Sequence, residues 1–191
     1  MTSAGERQVE VPAWVRAQPG RTIVALPAYN EEDALPRLLR RVHEAMVDAR
    51  LEYEIIVVDD GSTDETPMIL QQHARFLPLT TVTHERNAGL SQTIFDALQA
   101  ALQRATPRDV IVSMDADDTH APGVILRMVR MVREGYQVVI ASRYREGSVV
   151  RGVPFGRRAL SRLASLTSRL FAPIPGVRDY TCGYRAYDVG S

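Results

Sequence analysis

Asp115 and Asp117, two aspartates separated by one small residue, directly follow an apolar run near the middle of the chain. The run, Val-Ile-Val-Ser-Met at 110–114, predicts a buried strand that ends at the carboxyl edge of a parallel sheet, where α/β folds bind ligands. Carboxylate oxygens suit Mg²⁺ or Mn²⁺, and such an ion typically bridges a few protein groups to substrate phosphates. The pair is therefore a candidate metal site. A helix cap formed by Asp117 and Asp118 ahead of Pro122 is the alternative, but it does not account for Asp115.

Two other polar loops come directly after predicted strands. Residues 26–33 are Leu-Pro-Ala-Tyr-Asn-Glu-Glu-Asp, and residues 58–66 are Val-Asp-Asp-Gly-Ser-Thr-Asp-Glu-Thr. Because the carboxyl ends of parallel strands share one edge, we expect both loops to converge with the acidic pair. Asp59 or Asp60 is suited to accept a hydrogen bond from a nucleobase N–H or a ribose hydroxyl, and Tyr29 offers a flat surface.

The second of these loops also fits a purely structural interpretation. Gly61 permits a tight turn, and Ser62 with Glu65 has the spacing of a capping box at a helix N-terminus. A cap requires only one of these polar side chains, whereas the chain places consecutive aspartates directly after a buried strand. We therefore favour a functional role and keep the helix cap as the alternative.

The composition is that of one α/β domain. The chain has 191 residues, of which 45% are hydrophobic, and no uncharged apolar run approaches the roughly 18 residues that a membrane span requires. Residues 1–18 carry charges throughout and have no apolar segment, so a secretory signal is not predicted. The single cysteine, Cys182, excludes an internal disulfide and agrees with a reducing, cytoplasmic compartment. A formal net charge of zero gives no indication of nucleic-acid binding.

The chain contains no lysine, and all 23 of its basic residues are arginine. Mechanisms that depend on a P-loop lysine or on a Schiff-base lysine are therefore excluded. Neither a Gly-x-x-x-x-Gly-Lys motif nor a Gly-x-Gly-x-x-Gly motif is present.

Strand-like runs alternate with helical patterns, which predicts an α/β fold with a mostly parallel sheet. The apolar residues of the first helix recur at helical spacing: Leu35, Leu38, Leu39, Val42 and Met46. Strands are predicted at Thr22–Leu26, Glu54–Val58, Leu79–Thr83, Val110–Met114 and Gln137–Ala141, and further helices at Glu65–Ala74, Leu90–Ala105 and Pro122–Glu134. We expect residues 1–20 to be a flexible leader and residues 21–191 to be a single domain.

The order and spacing of these motifs resemble family 2 glycosyltransferases with the GT-A fold, a Rossmann-like nucleotide-sugar-binding domain. The matching segments are Pro-Ala-Tyr-Asn-Glu at 27–31, Val-Asp-Asp-Gly-Ser-Thr-Asp at 58–64, Asn-Ala-Gly at 87–89 and Asp-Ala-Asp at 115–117. Three later segments resemble the dolichol-phosphate mannosyltransferase and polyprenyl-phosphate sugar transferase branch: Ala141-Ser-Arg143-Tyr, Arg157-Arg-Ala-Leu-Ser161-Arg, and Asp179-Tyr-Thr-Cys-Gly-Tyr-Arg185-Ala-Tyr. The Gln-x-x-Arg-Trp motif of processive synthases is absent.

The resemblance implies a role for each matched position. The donor nucleoside is expected to contact Pro27, Tyr29, Glu31, Val58 and Asp60. The divalent cation, Mg²⁺ or Mn²⁺, is expected on the donor diphosphate, held by Asp115 and Asp117 with the backbone of Ala116 beside them. The acceptor phosphate is expected to contact Arg143, Arg157 and Ser161, because the planar guanidinium group binds phosphate through two hydrogen bonds.

The implied reaction is metal-dependent, inverting transfer of a sugar from a nucleotide-diphosphate sugar to a polyprenyl (dolichyl-type) phosphate. The cation stabilises the leaving nucleoside diphosphate as a Lewis acid, and the acceptor phosphate is already an anionic nucleophile. GDP and UDP are not distinguished, since guanine and uracil both present a ring N–H to Asp60. Residues 154–171 have the pattern of a basic amphipathic helix, and its periodicity alone favours an ordinary surface helix with a solvated arginine face. The family resemblance implies contact with lipid head groups instead, and with it peripheral membrane association of a cytoplasmic protein.

Two departures from the family pattern concern the metal site and the C-terminal end. Some relatives carry glutamine two residues after the second aspartate as a further ligand, whereas this chain has Thr119. Relatives continue beyond the Gly-Tyr-Arg-Ala-Tyr segment, often with membrane helices, so truncation at the C-terminal end is an open alternative.

Three other functions are kept as alternatives. Residues 115–119, Asp-Ala-Asp-Asp-Thr, also fit the Asp-x-Asp-x-Thr motif of haloacid-dehalogenase-like phosphatases. That motif usually follows the first strand of its fold, and those enzymes normally use a lysine that this chain lacks. The second alternative is transfer to a saccharide hydroxyl, which requires a carboxylate base. The third is a non-catalytic relative that binds a nucleotide sugar or scaffolds a membrane complex.

The four histidines, His43, His73, His84 and His120, are scattered along the chain and lack the spacing of a helical metal site. We interpret them as structural or exposed. His120 is the exception worth testing, because it follows the acidic pair.

Overall fold

The computed structural model of the chain describes residues 20–141 and 182–191. The strands within this part are β1 (Thr22–Ala28), β2 (Tyr53–Asp59), β3 (Leu79–Thr83), β4 (Val110–Ser113), β5 (Val138–Ile140) and β6 (Arg185–Asp188). The helices are α1 (Leu35–Asp48), α2 (Thr66–His73), α3 (Leu90–Arg104) and α4 (Val124–Arg133). The predicted leader at residues 1–20 falls almost entirely outside the described residues.

The strands form one sheet in the order β3-β2-β1-β4-β6-β5. Strands β1 to β4 are mutually parallel where they pair, and β6 runs antiparallel to both β4 and β5. The prediction of a mostly parallel α/β sheet is confirmed. Strand β6 was not predicted, because its sequence Arg-Ala-Tyr-Asp is short and half polar. It is stabilised as a strand by neighbours on both sides.

Both faces of the sheet are buried, which explains why the central strands are continuously apolar. Val24 and Leu26 of β1 belong to a core cluster shared with α1 and α4. Ile23 and Ala25, which point to the opposite face, pack in a second cluster with residues of α3. The predicted apolar stripe of α1 is fully buried in the first cluster: Leu35, Leu38, Leu39, Val42 and Met46.

Strand β1 extends two residues beyond its predicted end and includes Pro27. The carbonyl oxygen of Ala25 accepts a hydrogen bond from the backbone nitrogen of Met114, which follows β4. The backbone nitrogen of Pro27, two positions later, therefore points toward the same side as β4. Strand β4 has already ended at Ser113. The missing N–H of proline is therefore not needed in the ladder, and the residue is tolerated in a central strand.

Candidate functional site

The loops after β1 and β2 are joined by hydrogen bonds at the carboxyl edge of the sheet. The backbone nitrogen of Asn30 donates to the Ser62 hydroxyl at 2.9 Å, and the backbone nitrogen of Thr63 donates to Asn30 Oδ1 at 2.8 Å. The backbone nitrogen of Glu31 donates to the Thr66 hydroxyl at 2.9 Å. These contacts bring together two loops that the sequence predicted to converge.

The capping-box alternative for Ser62 and Glu65 is wrong. Glu65 is the N-cap residue of α2, with no side-chain cap hydrogen bond, and the Ser62 hydroxyl is used across the loops instead. The carboxylate of Asp64 accepts hydrogen bonds from the backbone nitrogens of Thr66 at 3.0 Å and Glu32 at 3.2 Å. Burial opposes ionisation of Asp64, but these hydrogen bonds and that of the Thr66 hydroxyl outweigh it and lower the pKa of the carboxyl.

Gly61 allows the loop after β3 to approach the loop after β2 closely. Its φ is +69°, and an added Cβ would lie 2.8 Å from the carbonyl carbon of Arg86. No L side chain fits this position without displacement of backbone. The close approach brings the segment Asn-Ala-Gly at 87–89 against Asp60.

Asp60 is nearly buried, with 2% of its surface exposed. Its Oδ1 accepts hydrogen bonds from the backbone nitrogen of Ala88 at 2.8 Å and from the His84 ring at 2.7 Å. Its Oδ2 accepts one from the backbone nitrogen of Gly89 at 3.0 Å. Burial alone would raise the pKa of Asp60, yet the hydrogen bonds from Ala88, His84 and Gly89 lower it. The carboxylate is thus held ionised and fixed in place, while its contact with a base stays a prediction.

The other residues predicted to contact the nucleoside differ in accessibility. Tyr29 is 43% exposed at the end of β1, where its ring is available to a ligand. Pro27 is buried, and Val58 has no exposed surface because it packs in the core cluster beneath α3. Any contact that Val58 makes with a ligand therefore involves its backbone.

The acidic pair occupies the loop after β4. The side chain of Asp115 is 42% exposed, and its Oδ2 lies 3.2 Å from His120 Nε2. Asp117 is exposed, and its Oδ1 accepts hydrogen bonds from the backbone nitrogen and the hydroxyl of Thr119 at 3.0 and 2.7 Å. Ala116 between them is buried in the core. The pair thus presents carboxylate oxygens to solvent from a loop that is fixed by its central residue.

Asp118 connects this loop to α1. Its side chain is 1% exposed, and its two oxygens accept hydrogen bonds from the guanidinium groups of Arg37 and Arg41. Its φ is +55°, a left-handed conformation that aspartate tolerates better than most residues. Neither Asp117 nor Asp118 caps α4, whose N-cap is Gly123, so the capping alternative is wrong.

Negative charge is concentrated at this edge of the sheet. Burial raises the pKa of the Glu31 carboxyl above its usual value, and the charges of Asp117, Asp64 and Asp115 raise it further, in that order. Glu31 therefore lies close enough to the acidic pair for the two negative charges to raise its pKa. A cation placed among these carboxylates would reduce their mutual repulsion.

Residues 182–184 lie beside the acidic pair. Their segment was matched to the family branch in the sequence, but no place in the site was predicted for them. The Ser113 hydroxyl donates to the Gly183 carbonyl oxygen at 2.7 Å, and a Cβ on Gly183 would lie 3.1 Å from Asp115 Oδ1. The Tyr184 ring packs on His120 with 4.8 Å between centroids, and its hydroxyl donates to the Ala121 carbonyl oxygen at 3.0 Å. His120 is therefore fixed beside Asp115.

The carboxylate oxygens at this site suit a hard divalent cation that receives only some of its ligands from the protein. Within residues 20–141 and 182–191, no group of three or more His, Cys, Asp or Glu side chains is arranged to hold a metal ion. Asp115 and Asp117 supply oxygen ligands only. Mg²⁺ and Mn²⁺ sites of this type are usually completed by substrate phosphates and water.

The residues predicted to bind the acceptor, Arg143, Arg157 and Ser161, lie outside the described residues, as does the predicted amphipathic helix at 154–171. No helix in the described part of the chain is long and apolar enough to cross a membrane. A groove of about 420 Å³ between α1 and α4 is lined by Arg41, Glu44 and Asp48, and it contains none of the predicted site residues.

Comparison with known proteins agrees with this geometry. The family described as Glycosyl transferase family 2 matches residues 23–191. A polyprenol monophosphomannose synthase of Mycolicibacterium smegmatis is 38% identical over 98% of this chain and 69% of its own length. A dolichol-phosphate mannosyltransferase of Pyrococcus furiosus is 34% identical over 85% of this chain, which spans 45% of that relative.

Solved structures support the same fold. The glucosyl-3-phosphoglycerate synthase of Mycobacterium tuberculosis, solved with Mn²⁺, UDP and phosphoglyceric acid, superposes with a TM-score of 0.62 at 24% identity, over 89% of this chain and 56% of its own. The mannosyltransferase PcManGT of Pyrobaculum calidifontis, solved with GDP-Man and Mn²⁺, gives a TM-score of 0.58 at 21% identity, over 92% of this chain and 49% of its own.

These comparisons decide between several predictions. The GT-A fold is confirmed, and so is the glycosyltransferase assignment at the level of the family. The phosphatase alternative has no support, since Asp115 follows the fourth strand of the chain and the family match covers the whole acidic loop. On its motifs, its sheet and its sequence relatives, the chain belongs to glycosyl transferase family 2.

Proposed function

We propose that the chain transfers a sugar from a nucleotide-diphosphate sugar to a polyprenyl phosphate, with inversion and with a divalent cation on the donor diphosphate. The observation that carries this proposal is that the exposed Asp115 and Asp117 pair and the fixed Asp60 loop lie at the same edge of the sheet. A nucleoside held near Asp60 and Tyr29 directs its diphosphate toward the acidic pair.

Each group in the site has a distinct task in this proposal. Asp115 and Asp117 hold Mg²⁺ or Mn²⁺, which neutralises the charge that develops on the leaving diphosphate. The ionised Asp60 accepts a hydrogen bond from the base, and the exposed Tyr29 ring covers the nucleoside. Glu31, whose pKa is raised by burial and by the nearby carboxylates, contributes a further acceptor once the cation is bound.

The acceptor is proposed from the relatives. Those named above carry polyprenol and dolichol phosphate in their names. A third relative, from Pseudomonas fluorescens, is named undecaprenyl-phosphate 4-deoxy-4-formamido-L-arabinose transferase and is 34% identical over 86% of this chain and 46% of its own length. We propose that Arg143, Arg157 and Ser161 bind the acceptor phosphate and that the enzyme works at the membrane surface. A phosphate acceptor is already ionised, so the reaction requires no general base.

The test is sugar transfer with a panel of GDP- and UDP-sugars and three acceptors: a short-chain polyprenyl phosphate, the corresponding polyprenol and a simple saccharide. Label is expected in the polyprenyl phosphate product, and only with Mg²⁺ or Mn²⁺ present. Arg157→Lys should reduce transfer strongly, because an ammonium group keeps the charge but loses the two-pronged hydrogen bond.

Efficient transfer to the polyprenol or to the saccharide would contradict the lipid-phosphate acceptor. Nucleotide-sugar binding without transfer to any acceptor, both in this chain and in a C-terminally extended form, would support a non-catalytic relative instead.

A further inference from the structure

His84 lies between two carboxylates that belong to different elements. Its Nδ1 is 2.7 Å from Asp60 Oδ1 at the end of β2, and its Nε2 is 3.2 Å from Asp96 Oδ2 on α3. The His84 side chain is 17% exposed. Asp96 also accepts hydrogen bonds from Gln92 Nε2, at 3.0 Å to each oxygen.

This geometry indicates which form of the ring satisfies both contacts. An ionised carboxylate only accepts hydrogen bonds, whereas a neutral imidazole has one donor nitrogen and one acceptor nitrogen. Both contacts are hydrogen bonds only when both nitrogens carry hydrogen, that is, in the imidazolium form. In the described part of the chain, Asp60 and Asp96 are the charged groups in contact with the ring; its sequence neighbours Glu85 and Arg86 are exposed.

The contact between His84 and Asp60 matters because Asp60 is the residue proposed to accept a hydrogen bond from the nucleobase of the donor. The backbone nitrogens of Ala88 and Gly89 and the His84 ring occupy three of its roughly four acceptor positions. The Thr93 hydroxyl is also within reach, but its hydrogen is directed to the Gly89 carbonyl oxygen at 2.9 Å. His84 is the only basic side chain in direct contact with Asp60 in the described residues, and this hydrogen bond holds the carboxylate at a fixed angle.

We propose that His84, fixed by Asp96, is a positioning residue that orients Asp60 toward the donor base, so that base recognition depends on the protonation of His84. This inference rests on the proposed function. Its direction follows from the geometry: the imidazolium form makes both hydrogen bonds, and a rise in pH that removes one proton turns a nitrogen lone pair toward a carboxylate. Base recognition therefore weakens as pH rises.

The test separates the base from the diphosphate. Dissociation constants of GDP, UDP and inorganic diphosphate are measured by calorimetry with Mn²⁺ between pH 6 and 8. The ratio of diphosphate to nucleotide constants reports the contribution of the nucleoside, and the comparison of GDP with UDP isolates the base, since both carry the same ribose. His84→Gln should reduce the ratio for the preferred nucleotide by about tenfold at the lower pH, because an interaction with a charged group is lost. His73→Gln, at a histidine of α2 that donates within its own helix, should leave the ratio unchanged.

Asp96→Asn is the decisive variant. An asparagine amide can donate to Nε2 of a neutral His84, which still donates from Nδ1 to Asp60. The ratio in Asp96→Asn should therefore remain close to the wild-type value at the lower pH and should lose the wild-type decline with pH. The same ligands are used for both proteins, so titration of the phosphates cancels in this comparison.

Two results would overturn the inference. One is a ratio in His84→Gln equal to that of the wild type; the other is a pH dependence in Asp96→Asn that matches the wild type. If His84→Gln fails to fold, the Asp96→Asn comparison decides alone. A wild-type protein that binds inorganic diphosphate and nucleotide equally, or neither, would contradict the proposed donor site and remove the basis of this inference as well.

Discussion

Asn30 Oδ1 lies 2.8 Å from the backbone nitrogen of Thr63, which joins the loop after β1 to the loop after β2. The backbone of Asn30 has a φ of +54°, in the left-handed region. Asn30 therefore has two roles: its backbone tolerates the left-handed conformation, and its side chain joins the two loops that flank the proposed nucleoside site.

Asn30→Ala should lower the free energy of unfolding by about 1–2 kcal/mol, since it loses the hydrogen bond and places alanine in an unfavourable backbone region. Asn30→Gly is the control, because glycine adopts this φ without strain and loses only the hydrogen bond. Denaturant unfolding measures both. Equal stability of the alanine variant and the wild type would contradict the role assigned to Asn30.

Asp117→Asn should remove most of the metal dependence of nucleotide diphosphate binding, because an amide oxygen is a much weaker ligand for Mg²⁺ or Mn²⁺ than a carboxylate. Calorimetric titration of GDP and UDP, with and without Mn²⁺, measures the effect. Asp48→Asn, an exposed aspartate at the far end of α1, is the matched control. The metal assignment fails if the Asp117 variant keeps the full enhancement by Mn²⁺.

Asp118→Asn should weaken both stability and the Mn²⁺ dependence of nucleotide binding. The buried carboxylate of Asp118 holds the acidic loop to Arg37 and Arg41 of α1, and we expect a loss of about 1–2 kcal/mol in the free energy of unfolding. Arg40→Met is the control on the same helix, because Arg40 and Glu44 form an exposed pair at 3.7 Å that should contribute little. A loss of stability with unchanged metal dependence would show that Asp118 does not position the metal loop.

Asp64 should contribute to the acid sensitivity of the fold. Burial alone would raise its pKa, but hydrogen bonds from Thr66 and Glu32 outweigh burial and lower the pKa in the folded protein below the usual 3.8. The ionised carboxylate therefore stabilises the fold at pH values above 3.8, and this stabilisation is lost as pH falls through the lower pKa of the folded state. Asp64→Asn should be less stable than the wild type at pH 7, and the difference should shrink below about pH 4. Denaturant unfolding at pH 7 and pH 3 measures this, with Asp33→Asn as the exposed control. A difference that grows toward acid pH would contradict the prediction.

The fold and the location of the site could be predicted from local patterns. Strand β4 and the acidic pair are adjacent in sequence, so an apolar run followed by aspartates is sufficient to place Asp115 and Asp117 at a sheet edge. The stripe of α1 was predictable for the same reason, because helical spacing repeats within a few residues. Segments such as 27–31 and 58–64 also carry the family resemblance in a short stretch, and the family match confirms it.

The partners of each polar side chain were decided by tertiary structure. Asp118 meets Arg41 across 77 positions of sequence, and His84 meets Asp60 across 24; no local pattern records either pairing. Val58 and Asp60 illustrate the limit of prediction from a motif, because they are only two residues apart. Val58 packs in the core, whereas Asp60 accepts a hydrogen bond from the loop after β3.

The physical reason is a difference in range. Hydrophobic periodicity and strand-end chemistry depend on neighbouring residues, so the sequence alone determined the α/β class, the sheet edge and the candidate metal pair. Hydrogen bonds and ion pairs depend on which distant loops the packed sheet brings within about 3 Å. For that reason only the tertiary structure revealed β6 as a strand, the anchoring of Asp118 on α1 and the place of His84 between two carboxylates.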